Sequence, residues 1–388
     1  MDSGTARHAE GEDGMRKVFM ALVALVTTLG FVSVASLQSG ASAKTKWRTA
    51  TSAKAGGGMK ALIKAAKKEG KLNVIALPPT WANYGTIMKE FQHKYHIKIT
   101  DANPTGSSAQ EVAAINQLKG QTRAPDVVDV GNSFAVTGVK SGLWAPYKVA
   151  TWKTIPNSAK TAHGNWYDDY GGYVAIGYTG TKVKNPPKSF KDLLKSTYKN
   201  QVGINTTPTE ASAAFAAVLA AALANGGSLS NIAPGVTYFK KLYSVGNFVP
   251  TKADPATVEN GTTPIVIWWD YLQASEIASK LPDWKVVIPT DGHYAAFYTQ
   301  AINRTAPHPA AARLWEEFVY SKIGQNDFLK GKAEPIEMQA LIKHHTITAA
   351  AKKALPPTPP GKLELATSPE LTKDATVLAH TWSLKVTS

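Results

Sequence analysis

Between residues 59 and 130 the hydrophobic spacing alternates between helical and strand periods, and nothing else in the chain restricts the fold as much. Met59, Leu62, Ile63 and Ala66 recur at helical spacing, and KLNVIAL over 71–77 is an apolar run of strand length. Pro78 and Pro79 end that run. A helix is expected from about Asn83 to Tyr95, with Ile87, Met88 and Phe91 on one side. HIKIT over 96–100 reads as a second strand. A further helix carries Val112, Ile115 and Leu118, and Ser108 followed by Glu111 fits a capping box at its start. Residues 126–130 (DVVDV) form a third strand. Strands alternating with helices at this spacing imply βαβ units and a parallel sheet.

A second alternating block follows. GYVAIGYT (172–179), QVGINTT (201–207), TPIVIWW (263–269) and WKVVIP (284–289) read as strands. SFKDLLKSTY after Pro187, an Ala-rich segment from Glu210 to about Ala224 capped by Thr209, residues 234–244 and Tyr271 to Lys280 read as helices. YAAFYTQAIN (294–303) is a strand that returns to the first block. Helices over 308–322 and 324–331, a Pro-rich spacer LPPTPPG and a final helix near 369–381 complete the chain. The expected fold class is α/β, with two hinged lobes and a central cleft. One lobe comprises 59–175 and 295–388, the other 176–294, after a polar linker at 44–58. The strands at 172–179 and 290–299 make the crossings.

The N-terminus reads as an export signal over residues 1–43. Arg16 and Lys17 precede an apolar stretch to about Leu37, then the small-x-small site Ala41-Ser42-Ala43. The acidic leader before Met15 makes that residue a second candidate initiator beside Met1. An uncleaved anchor is the alternative, since about 20 apolar residues span a bilayer. The absence of cysteine excludes disulfides, thiolate chemistry and a lipid anchor on cysteine. The expected location is therefore periplasmic or extracellular, without a lipid anchor. The net charge is +15, but the lysines are scattered over helix faces with no aromatic-interleaved basic run. This favours a solvated surface attracted weakly to anionic envelope polymers over a nucleic-acid partner. The protein is expected to be a monomer without a cofactor.

In open α/β sheets, ligands sit at the carboxyl ends of strands. That rule selects Trp81, Asn83 and Tyr84 after the first strand, Ser107 and Ser108 after the second, and Asn132 after the third. In the second block it selects Thr207, Thr209, Glu210 and Ser212, then Trp269, Asp270 and Tyr271, with Tyr298 on the returning strand. Hydroxyls and free backbone N–H groups at helix starts suit an anion; Trp and Tyr walls beside carboxylates suit a cation. Ser108, Thr209 and Glu210 also read simply as helix caps. Of the adjacent Trp268 and Trp269, one belongs in the core, and Trp269, nearer the strand end, is the candidate for the cleft. The segment 166–170 reads equally as interface packing. No G-x-S-x-G, H-E-x-x-H, P-loop or G-x-G-x-x-G is present. A non-enzymatic reading follows, with a secreted hydrolase or envelope-binding protein as the alternative class.

The segments AAKKEGKLNVIAL, NYGTIMKEFQHKYHIKI, APDVVDVG and PIVIWWDYL, together with APHPAAARLWEEFVYSKIGQ, resemble the extracellular solute-binding proteins of ABC importers. The polyamine, ferric-iron and phosphonate binders are the nearest subgroup, and the resemblance spans about residues 60–340. It implies a type II periplasmic-binding fold that closes on a small molecule and hands it to a membrane permease. Ferric-iron members commonly clasp the metal with adjacent tyrosines, whereas Tyr294 and Tyr298 are four apart here. Polyamine binders hold amines between Trp or Tyr walls and carboxylates, which Trp269-Asp270-Tyr271 matches in kind.

Overall fold

The computed structural model describes residues 46–355 and 365–386. The expected signal segment, and the Pro-rich spacer at 355–361 apart from Leu355, lie outside the described residues. Contacts divide the chain at Trp47, and the compact unit runs from Arg48 onward.

The first block opens with α1 (Met59–Glu69), β1 (Lys71–Ile75), α2 (Tyr84–Tyr95), β2 (Lys98–Ala102), α3 (Ser108–Gln117) and β3 (Val127–Gly131). The expected alternation is present. β1 and β2 pair in parallel, Lys71 beside Lys98 through Ile75 beside Ala102. β3 does not extend that ladder as a parallel sheet would require. It pairs antiparallel with β9 (Ala295–Asn303), Val127 beside Ile302. The partner of β3 lies far along the chain, so local periodicity carries no trace of it. After β3 come α4 (Asn132–Lys140) and the short β4 (Trp144–Ala145) on β9.

β5 (Tyr167–Thr179) is longer than expected and joins two sets of strands. Its first part pairs with β9 as far as Tyr173 beside Ala295. From Val174 it pairs with β7 (Ile265–Trp269) instead, and also with β8 (Trp284–Val287). β6 (Val202–Ile204) adds to β7 in parallel. The second block packs α5 (Ser212–Ala224), α6 (Ala233–Ser244), α7 (Pro255–Glu259) and α8 (Asp270–Leu272) around these strands, with a π-helical turn over Gln273–Ile277 after α8. The helix expected over SFKDLLKSTY is two 3-10 turns, Asp192–Leu194 and Ser196–Tyr198. Asn247 takes the carbonyls of Leu193 and Lys195 with its amide, so those groups are held by a side chain rather than an α-helical ladder.

The chain then returns through β9 to α9 (Pro309–Val319), α10 (Lys322–Lys330), β10 (Glu334–Pro335) against β5, α11 (Met338–Lys343), α12 (Ala349–Lys353) and α13 (Ser368–Lys385). Residues 48–58, expected as a linker, run along this body: Arg313 donates to the carbonyls of Ala50 and Arg48. Edge-on aromatic contacts tie the returning helices to α2, with Phe91 against Trp315 and Phe318.

Candidate functional site

A cavity of about 760 Å³ lies between the two sets of strands. Ala76 and Pro78 after β1 line it, with Asn205 and Thr206 after β6, so it occupies the carboxyl ends of parallel strands. Its aromatic wall is Trp81, Trp268 and Tyr298. The Trp81 ring meets Trp268 edge-on at 6.1 Å and Tyr298 at 5.6 Å.

The Trp81 turn is strained. Ala82 (φ 45) and Asn83 (φ 68) occupy left-handed backbone that non-glycine residues rarely adopt. The end of α10 holds it there. Asn83 donates to the carbonyl of Asp327 at 2.9 Å, and any side chain at Gly331 would collide with the Ala82 backbone. Asn83 thus sets the Trp81 turn and does not line the cavity.

The floor is acidic. Asp129, in the middle of β3, is 5% exposed and Glu111 is 2% exposed, and both line the cavity. The backbone N–H of Asp129 donates to Glu111 Oε2 at 3.0 Å. Trp81 Nε1 donates to the Tyr170 hydroxyl at 2.6 Å, which donates in turn to Asp129 Oδ2 at 2.8 Å. The Tyr84 hydroxyl stands 3.0 Å from the same oxygen. Asp129 Oδ1 is buried and has no hydrogen-bond partner among the described residues. Trp268 Nε1 is in the same condition, a donor where Asp129 is an acceptor. Burial, then the nearby Asp169 and Glu111, hold the Asp129 carboxyl well above the usual carboxylate range; burial does the same to Glu111. Behind the floor, burial pushes Asp169 up to about 7 and Asp168 up to about 8.

Among the residues selected from the sequence, Trp81, Ser107, Ser108, Glu210, Ser212 and Tyr298 line the cavity. The capping box of α3 lies one residue earlier than expected, between Ser107 and Gln110. This frees the Ser108 hydroxyl to accept from the N–H of Gly131, and Glu111 to reach β3. α5 starts after Ala211, with no side-chain cap, so Thr209 lies in the turn before the helix and does not line the cavity.

Tyr84 is fully buried under the floor. Asn132 lies off the cavity, its amide 2.6 Å from Asp168. Trp269, Asp270 and Tyr271 do not line it either. Strand alternation turns Trp268 to the cavity and Trp269 away, the reverse of the expected assignment. Asp270 accepts the N–H of Tyr173 at 2.9 Å, and Tyr271 packs edge-on against Tyr170.

The strand-end rule selects neither Asp129 nor Glu111. The signal for Asp129 was present, a carboxylate inside an apolar strand run, where burial is costly unless something compensates. The π-helical turn brings Glu276 to the cavity, where it accepts from the Thr80 hydroxyl at 3.1 Å across the mouth.

No curated protein matches the chain by sequence. Solved structures do. The periplasmic binding protein AfuA from Actinobacillus pleuropneumoniae, solved with fructose-6-phosphate, superimposes with a TM-score of 0.65 at 19% identity, over 82% of this chain and 99% of that one. The ferric binding protein from Campylobacter jejuni gives 0.60 at 16% identity, over 81% and 98%. The spermidine/putrescine substrate-binding protein PotD from Streptococcus pneumoniae gives 0.56 at 16%, over 81% and 99%. These relatives establish the two-lobed periplasmic-binding fold, and they are binding proteins rather than enzymes. A family model, bacterial extracellular solute-binding protein, matches residues 123–355. An α/β body whose strand ends enclose one cavity, with both lobes on its walls, therefore belongs to the bacterial extracellular solute-binding proteins, the ligand-capturing components of ABC importers.

Proposed function

We propose that this protein captures a small organic cation of the polyamine kind in the cavity between its lobes and delivers it to a membrane permease after export. The buried, unpartnered Oδ1 of Asp129 carries the reading. An acceptor left without a partner in a dry site costs about 1–3 kcal/mol, and an ammonium donor would relieve that cost. Glu111 beside it and the faces and edges of Trp81, Trp268 and Tyr298 complete a setting suited to an amine. The lobes are read as 59–175 with 295–388, and 176–294. The change of partner along β5 between Tyr173 and Val174 supports that division.

A second reading, an anionic ligand such as a phosphonate, has one observation in its favour. The first turn of α5 lacks a side-chain cap and opens on the cavity near Lys252. Calorimetry with putrescine, spermidine, phosphate, an alkylphosphonate and fructose-6-phosphate separates the two. Heat from the amines alone, lost in Asp129→Asn, supports the cation site. Binding of the anions alone overturns it.

A further inference from the structure

The opposite end of the first lobe has a different character. β1 begins at Lys71 and reaches the cavity at Ala76, so the start of that strand lies about 17 Å from the ligand site at roughly 3.3 Å per residue. At this end Lys71 and Lys98 are direct neighbours in the parallel register. Lys67 and Lys68 close the last turn of α1 just before β1. Arg123 is carried by the loop whose carbonyls at Thr122 and Ala124 accept the amide of Asn73. All five cations are exposed.

Among the described residues, the acids nearby give them no counter-charge. Glu69 turns inward and accepts the N–H groups of Ala310 and Ala311 at the start of α9. Asp126 is fully buried, accepting from Asn73 and His308. Like charges one strand apart repel, so Lys71 beside Lys98 costs stability unless an anion is shared.

We propose that this basic end of the first lobe is a docking surface for a linear phosphodiester polyanion of the cell envelope. An extended polymer with a negative charge at each repeat matches cations gathered from two neighbouring strands, a helix end and a loop. Among the described residues, the large apolar side chains that stand exposed elsewhere are missing from this end; Met59, the nearest in sequence, is at the other end of α1. A bilayer would gain from apolar insertion there, and a single-stranded nucleic acid from exposed aromatics on which bases stack. The surface offers neither. It is separate from the ligand cavity and stands whatever the solute is.

The test uses long-chain inorganic polyphosphate as the probe, with the folded full chain immobilised. Binding should weaken tenfold or more between low and physiological salt, because exposed charge pairs are screened. The triple variant Lys71→Gln/Lys98→Gln/Arg123→Gln should lose tenfold or more, while Lys191→Gln/Lys199→Gln/Lys240→Gln, of equal charge change on the second lobe, loses less than about twofold. Equal losses in the two triples would overturn the proposal, since net charge alone would then explain binding. Tighter binding to vesicles rich in anionic lipid than to polyphosphate, lost in the same first triple, would overturn it in favour of a membrane surface.

Discussion

Replacing Gly131 by alanine tests whether the two lobes must meet as closely as they do here. Gly131 ends β3 on the first lobe, and Ser212 opens α5 on the second. A methyl group built on Gly131 falls on the Cβ and Oγ of Ser212, closer than any real contact, while the Cα of Ser212 stays at 3.5 Å, an ordinary separation. Gly131 has φ −64, so alanine suits its backbone and either lobe alone accommodates it. The cost therefore falls on the closed arrangement. Overpacking of this kind costs about 1–3 kcal/mol, or about 5- to 150-fold in the affinity of a ligand that binds between the lobes. Calorimetry with spermidine reads that loss, and small-angle scattering reads a wider particle. Trp fluorescence should change as the 6.1 Å contact of Trp81 with Trp268 opens. Gly131→Ala/Ser212→Gly removes both clashing atoms and should recover most of the affinity, with a coupling term of a size seen only for residues in contact. A single variant that binds as tightly as the parent, or a double variant no better than the single, would refute a closure limited by this contact.

Other consequences follow from the buried acids and the walls. Asp168, Asp169 and Asp270 keep protons in the folded state to about pH 8, 7 and 7, but lose them near pH 4 when unfolded. Their stabilising contribution is thus full below about pH 4 and declines as pH rises through 7–8, and the melting temperature without ligand should fall between pH 6 and 8.5. A melting temperature that rises across that range would show that these groups are ionised in the folded protein. An ammonium docking on Asp129 should expel a proton, so calorimetry in buffers of different ionisation enthalpy should report net proton release and an affinity that rises from pH 5.5 to 7.5. Proton uptake would contradict an amine at that carboxylate. Both tryptophans are buried, 2% and 1% exposed, so Trp268→Ala and Trp269→Ala should each cost about 3–5 kcal/mol of stability. Only Trp268→Ala should also weaken ligand binding tenfold or more in protein that is still folded; an equal loss of affinity in the two variants would contradict the facing seen here. Trp382 of α13 packs edge-on against Phe239 and Phe248 of the second lobe, so Trp382→Ala should release that helix and raise amide exchange there, read by mass spectrometry.

The alternation of apolar periods determined the α/β class, the order of elements and the strand ends at which a ligand site belongs, because each depends on side chains within a few residues of one another. Trp81, Ser107, Ser108, Glu210, Ser212 and Tyr298 were legible on that basis. Tertiary structure alone decided the rest. The insertion of β9 between β3 and β5 makes the main sheet mixed rather than parallel, and only the register of β7 on β5 shows that Trp268 and not Trp269 faces the cavity. Glu111 and Asp129 read as a helix cap and a strand residue until β3 and α3 are docked, at which point burial leaves one carboxylate oxygen without a partner. Facing and burial are set by residues distant in sequence, and no local pattern carries that information.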